Sequence, residues 1–260
     1  AYNCSTNNLT VSLKVNGVGT YSGVCTLSTG AYSISGVSIT SAGDTITVFL
    51  DDETEKAVTV TRALDTTSNI TGLNLYQGRV IVQHEDPADI ITIDDLDDFD
   101  TGNDADILFQ ATSSTGEFEA SSTAEFFVWA SSTFGSWGTG GVAGAVSFDD
   151  LDINGTSTAS SSQIISVSGN WDATGGIFGS ASSTVSFEAT VATSTITTNG
   201  SSFWDIVFNG SGGIFTFQDA ATTTNLLTPL AGTASSSNDM NVWGGSVQGP
   251  GTLNWTGGTF

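Results

Sequence analysis

The chain has 260 residues, of which 38% are hydrophobic, so one large all-β unit or two smaller ones can bury a sizeable core. Lys and Arg total 4 against 27 Asp and Glu, for a formal net charge of −23, and no Lys or Arg follows Arg79. Phosphate-driven nucleic-acid binding and attraction to anionic membrane surfaces both need basic side chains this chain lacks. No run approaches the roughly 20 apolar residues of a membrane helix, so no membrane insertion is expected within this chain.

In chain order, the first element is an alternating strand. Leu9, Val11, Leu13 and Val15 fall on one face, and Thr10, Ser12 and Lys14 on the other. Asn16-Gly17 then signals a hairpin turn. Cys4 and Cys25 flank this hairpin, and a close pair in a chain of extracellular character reads as a disulfide, the alternative being two free buried thiols. Further strands are expected at Thr45 to Leu50, Ala57 to Thr61 and Arg79 to Gln83, giving residues 1–110 a β-sandwich-like reading. An acidic stretch covers 85–106, and a Ser/Thr/Gly-rich connecting β region covers 111–145, interrupted by the strand Glu125 to Trp129. The Ser/Thr clusters read as polar turns because apolar strands recur between them.

From 146 to 260 the chain repeats itself. Gly175-Gly176-Ile177-Phe178 returns as Gly212-Gly213-Ile214-Phe215 and Gly257-Gly258-Thr259-Phe260. Strand centres recur about every twenty residues, near Phe148, Ser166, Phe187, Ile206 and Leu226, the length of one coil of a β-solenoid. The expected fold is therefore all-β: a β-sandwich-like N-terminal domain followed by parallel β-helix-like solenoid repeats. Ala1 reads as the start of a processed chain, and a last repeat ending at Phe260 without a capping coil implies a continuing chain or a covering subunit.

The run Val167-Ser168-Gly169-Asn170-Trp171, Gly175-Gly176-Ile177-Phe178, Ser183-Thr184-Val185-Ser186-Phe187, Phe203 to Gly210 and Gly213 to Phe217 resembles the repeats of large bacterial surface proteins. Such repeats are frequent in candidate-phyla bacteria and in filamentous-haemagglutinin-like adhesins. The stretch Gly43 to Leu50, with Ile70 to Tyr76 and Val80 to Asp86, is similar to a module that precedes them. The resemblance spans about residues 40–260 and implies secretion, β-rich repeats and a place at the cell surface. It implies no catalytic residues.

Candidate sites are few. Asp98, Asp100, Asp104 and Asp106 surround a Gly turn and can converge on calcium through oxygen ligands, the alternative being a solvated acidic loop. No other cofactor is expected. Asp94-Asp95-Leu96-Asp97 is echoed by Asp149-Asp150-Leu151-Asp152, which reads as a repeated strand-to-turn unit. His84 is the only histidine, and no nucleophile elbow accompanies it for a triad. Asp149, Asp150 and Asp152 are the carboxylates a glycan hydrolase would use, although Asp149 and Asp150 are adjacent and point to opposite faces of a strand. Of Trp129, Trp137, Trp171, Trp204, Trp243 and Trp255, alternation favours core positions for most and leaves Trp137 as the exposed one. Glycosylation sequons begin at Asn3, Asn8, Asn69, Asn154, Asn199, Asn209 and Asn254.

The sequence thus points to a non-enzymatic extracellular structural protein, a subunit of a cell-surface filament or layer. It would polymerise head-to-tail with itself by edge pairing, with Leu9, Val11, Leu13 and Val15 as the donated strand. The alternatives are a monomeric adhesin stalk that binds surface glycans, or a polysaccharide-active β-helix enzyme.

Overall fold

The fold was taken from a computed structural model, which describes residues 8–27, 29–84, 86, 88–190 and 193–256. The protein is nearly all β and forms a β-solenoid of about nine turns.

Four N-terminal strands make an antiparallel sheet. β1 (Thr10–Val15) lies between β2 (Val18–Val24) and β3 (Thr45–Leu50), and β3 pairs with β4 (Val58–Arg62), giving the order β2–β1–β3–β4. Asn16 and Gly17, both at positive φ, form the β1–β2 turn, as their types predict. β4 then pairs in parallel with β5 (Arg79–Val82), through Val58↔Val80 and Val60↔Val82. The chain next forms β6 (Ile90–Thr92), the short helix α1 (Ile93–Asp97) and the antiparallel hairpin β7 (Phe109–Thr112) and β8 (Glu117–Ala120). β9 (Glu125–Val128) and β10 (Thr133–Gly135) complete this coil.

From here each coil carries up to three strands: β11 (Ala145–Phe148), β12 (Asp150–Ile153) and β13 (Thr156–Thr158), then β14 (Ile164–Val167), β15 (Trp171–Asp172) and β16 (Ile177–Gly179). They are followed by β17 (Thr184–Phe187) and β18 (Thr193–Thr197), and by two long strands that bend round the coil, β19 (Ser202–Phe217) and β20 (Ala221–Ser236). β21 (Met240–Val242), β22 (Ser246–Val247) and β23 (Thr252–Trp255) make the last described coil.

Three parallel ladders result. The first face stacks β8, β11, β14, β17, residues 205–208, residues 226–229 and β22. The second stacks β5, β9, β12, β15, β18, residues 214–217, residues 233–236 and β23. The third is the sheet β6–β10–β13–β16, continued at the far end by 202–203, 222–223 and 241–242. On the first face the register advances through Ile164↔Thr184, Thr184↔Asp205, Asp205↔Leu226 and Leu226↔Ser246, so the coil length stays close to the expected twenty residues. All five expected strand centres lie on this one face.

Each interior is filled from all three faces. Phe118, Phe126, Phe134 and Phe148 form one aromatic cluster, with centroid separations of 4.8 to 6.5 Å. Trp171, Phe178, Phe187 and Phe203 form the next, and Phe208, Phe215 and Phe217 the one after. The rings belong to one continuous core. Outward positions are Ser- and Thr-rich: Ser147, Ser166 and Ser186 are stacked on one face, and Thr195, Thr216, Ser235 and Asn254 on another. This inside–outside alternation explains why so polar a composition still folds.

The N-terminal strands extend the second ladder. Phe49, Val58 and Val60 join the solenoid core, while Ile46, Val48 and Leu50 face a smaller core with Leu9, Val11, Leu13, Val15 and Cys25. That smaller core is covered by irregular segments bearing Tyr32, Ile34, Val37, Ile39, Ile70, Leu73 and Leu75. A second facing sheet, as a sandwich requires, is not seen among the described residues. The boundaries expected near 110 and 146 fall inside continuous ladders, because β5 pairs with β9 across the first, and β8 with β11 and β9 with β12 across the second. The repeat copy at 257–260 lies outside the described residues. So does Cys4, and the Cys4–Cys25 pairing remains an expectation, with Cys25 buried.

Candidate functional site

The acidic loop does not gather its four expected ligands. Asp98 is exposed. Asp100 is buried and spends its carboxylate on backbone, with Oδ1 accepting from Gly102 N–H at 2.8 Å and Oδ2 from Ala111 N–H at 3.0 Å. Asp106, also buried, pairs with Lys56 and accepts from the Asp52 backbone N–H, while Asp104 Oδ1 accepts from Asp106 N–H. The carboxylates that do approach one another are Asp51, Asp52 and Asp106, within 4.8 Å. Sequence spacing missed Asp51 and Asp52 because β-pairing brings them in from the N-terminal sheet. Burial and the neighbouring Asp51 charge push Asp104 above the ordinary carboxylate range.

The echo of the two Asp-Asp-Leu-Asp runs is not structural. The first is helix α1, where Asp95 Oδ2 accepts from Thr92 N–H at 2.8 Å in a capping contact, and the second runs from Asp149 into strand β12. There, Asp150 Oδ1 accepts from Asn170 N–H at 2.6 Å and Asn170 Nδ2 at 3.0 Å, and Asp149 Oδ1 accepts from Ser168 Oγ at 2.9 Å. Both carboxylates therefore tie one coil to the next.

Asp152 behaves differently. It stands on the second face beside Asp172 of the next coil, and Glu125 and Arg79 come from the coils before. Arg79 Nε is 2.7 Å from Glu125 Oε2, and its guanidinium lies over Phe127 and Tyr76. Burial first, then the charges of Glu125 and Asp172, push Asp152 up to about 6. Its Oδ1 accepts from Asn154 Nδ2 at 2.7 Å. One Arg thus faces three carboxylates in stacked coils, and burial together with this crowding of negative charge is what raises Asp152. Coil stacking alone creates this cluster, since the contributing residues are 20 or more positions apart.

His84 is a buried strand-end residue. Its Nδ1 accepts from Asp86 N–H at 2.9 Å, and Nε2 lies 3.5 Å from Asp89 Oδ2. Ser132 Oγ meets the His84 backbone rather than the ring, accepting its N–H at 2.9 Å, so no triad forms.

The expected donor strand is occupied. β1 is paired on both edges, and Leu9, Val11, Leu13 and Val15 are buried, so in this fold it cannot be given to a neighbour. Of the sequons, Asn8, Asn69, Asn199, Asn209 and Asn254 are exposed and Asn154 is half-buried, while Asn3 lies outside the described residues. The tryptophans depart from expectation. Only Trp171 is fully buried; Trp129, Trp137 and Trp255 are half-buried, and Trp204 and Trp243 are exposed. The exposed pair sits at a coil corner, where strand alternation no longer assigns a face. Among the described residues no helix is long and apolar enough to cross a membrane. Comparison with protein-family models, with curated proteins and with solved structures gave no match to this chain.

Proposed function

We propose that the chain is a structural element of an extracellular assembly, a rigid rod rather than a catalyst. The observation that carries this reading is the unbroken parallel pairing of coil upon coil, from β5 to β23 on a single face. About nine turns at about 4.8 Å each give a rod of about 40 Å. Its wall carboxylates support architecture: Asp150 bonds the next coil's Asn170, and Asp205 Oδ1 accepts from Leu226 N–H at 2.9 Å and Asn225 Nδ2 at 2.7 Å. Among the described residues, β21 and β22 pair only with β20, and their outer edges are a template for a further coil or a second copy. Contact there is heterologous and propagates instead of closing.

Negative-stain imaging and small-angle scattering of the 260-residue chain test this. Rods longer than one chain, growing with concentration, are the expected result. Single particles at every concentration, with and without calcium, would sink self-assembly of this chain.

A further inference from the structure

We propose that Trp204 and Trp243 form a stacking platform for a neutral polysaccharide. This inference needs only the stacked coils, and stands whether or not copies of the chain assemble.

Both tryptophans lie on the corner between the third and first faces. Phe203 pairs with Thr223, and Thr223 with Val242, so the residues that follow, Trp204, Thr224 and Trp243, occupy three consecutive coils at one corner. The backbone there is pinned: Thr223 Oγ1 donates to Trp204 O at 2.8 Å, and Trp243 N–H donates to Thr223 O at 2.9 Å. Phe203, next to Trp204, is buried in the core, and Val242, next to Trp243, packs half-buried against it. Trp204 and Trp243 are 37% and 67% exposed as whole residues, and among the described residues neither ring N–H has a hydrogen-bond partner. Two strand steps separate them by about 10 Å, close to two residues of an extended sugar chain.

Three features select the ligand. An indole offers a flat apolar face with a polar N–H at its rim, which suits the C–H face and ring hydroxyls of a sugar. Thr224 and the amide of Asn225, half-buried in the coil between, interrupt the apolar surface. That stripe matches alternating ring faces and hydroxyls along a polysaccharide better than the continuous apolar core of a protein interface. Finally, the chain has no Lys or Arg beyond Arg79, and Asp205 and Asp239 are near in sequence, so an anionic polymer would be repelled.

The test is retention of the full chain on microcrystalline cellulose and on chitin, with polygalacturonate as the anionic comparison. Retention on at least one neutral polymer and not on polygalacturonate is expected. W243A should weaken retention by about tenfold or more, W204A similarly, and W243F should recover part of it. Thermal melts check folding, and because Trp243 is the more exposed of the two, W243A carries the test if W204A loosens the corner. Failure of both neutral polymers to retain the chain, or W243A bound like the parent, would overturn the proposal.

Discussion

The N-terminal antiparallel strands and the solenoid share one sheet but solve the same problem differently. The N-terminal sheet buries both sides of β3 and most of β4, one side against the solenoid core and one beneath irregular segments, while β2 stays largely exposed. The solenoid closes three parallel faces on themselves and turns mostly polar side chains outward, with Ile164, Ile177, Ile214 and the two corner tryptophans as exposed exceptions. Charge divides the same way. All four basic residues serve the first region: Lys14 lies over Phe99, Lys56 pairs with Asp106, Arg62 with Asp89 and Asp95, and Arg79 with Glu125 of the first full coil. Beyond them, carboxylates are held by hydroxyl, amide and backbone donors. A solenoid needs no ion pairs because each coil presents the next with a row of backbone amides.

This contrast can be broken at its core. Trp171 lies 4.8 Å from Phe178 and 5.2 Å from Phe203, and fills the interior where consecutive coils meet. Trp171→Ala should cost about 3–5 kcal/mol in urea unfolding. A loss under 1 kcal/mol would mean that the coils do not depend on a shared interior.

Next in size are the corners. A Cβ on Gly213 would lie 1.9 Å from Ala189 O, and one on Gly176 would lie 2.2 Å from Gly155 O. Gly213→Ala should destabilise the solenoid by about 1–3 kcal/mol, seen as faster hydrogen exchange over 205–236 with the N-terminal strands unchanged. Equal loosening of β1–β4 would show that the two regions unfold as one.

The ion pairs of the first region give a smaller, salt-dependent effect. Lys56→Met leaves buried Asp106 without its cation and should cost about 1–2 kcal/mol, after allowance for the partial exposure of Lys56. Chemical denaturation with urea at low and high salt reads the difference. Salt should lower the stability of the parent more than that of the variant.

Acid response separates one carboxylate of each region by sign. Asp44 is held down to about 2, chiefly by the Asn16 side chain and by Thr40 and Ser41, so its contribution is present above the ordinary carboxylate pKa and is lost as pH falls toward 2. Asp152 is raised to about 6, so the folded state binds the extra proton, and its contribution is full below the ordinary value and lost as pH rises through 6. The parent should therefore melt higher at pH 5 than at pH 7. Asp152→Asn should flatten that slope and raise the melting temperature at pH 7. An unchanged slope would remove Asp152 from the account.

Much of the fold was legible in single residues. Period-two alternation placed β1, Asn16-Gly17 placed a turn, and the twenty-residue spacing of Phe148, Ser166, Phe187, Ile206 and Leu226 located the first face. These are local signals, written in the period of side chains along one strand or in the length of one coil. The Gly-Gly-Ile-Phe motif shows where local reading ends. Its first copy enters the third face at β16 and its second enters the second face within β19, so equal sequences are not equivalent rungs. What they share is a corner glycine, chosen for closeness to the backbone of the coil beneath.

The candidate site was less legible. Asp152, Glu125, Asp172 and Arg79 meet only through stacking, and Asp51 joins Asp106 only through the N-terminal sheet. The sequence by itself determined an acidic, nearly all-β chain with coils of about twenty residues, because composition, alternation and spacing are properties of neighbours along the strand. Tertiary structure alone decided which coil faces which, that β1 is held on both edges, and that Trp204 and Trp243 point outward. Register between coils and the geometry of corners depend on contacts between residues far apart in the chain, and no local period records them.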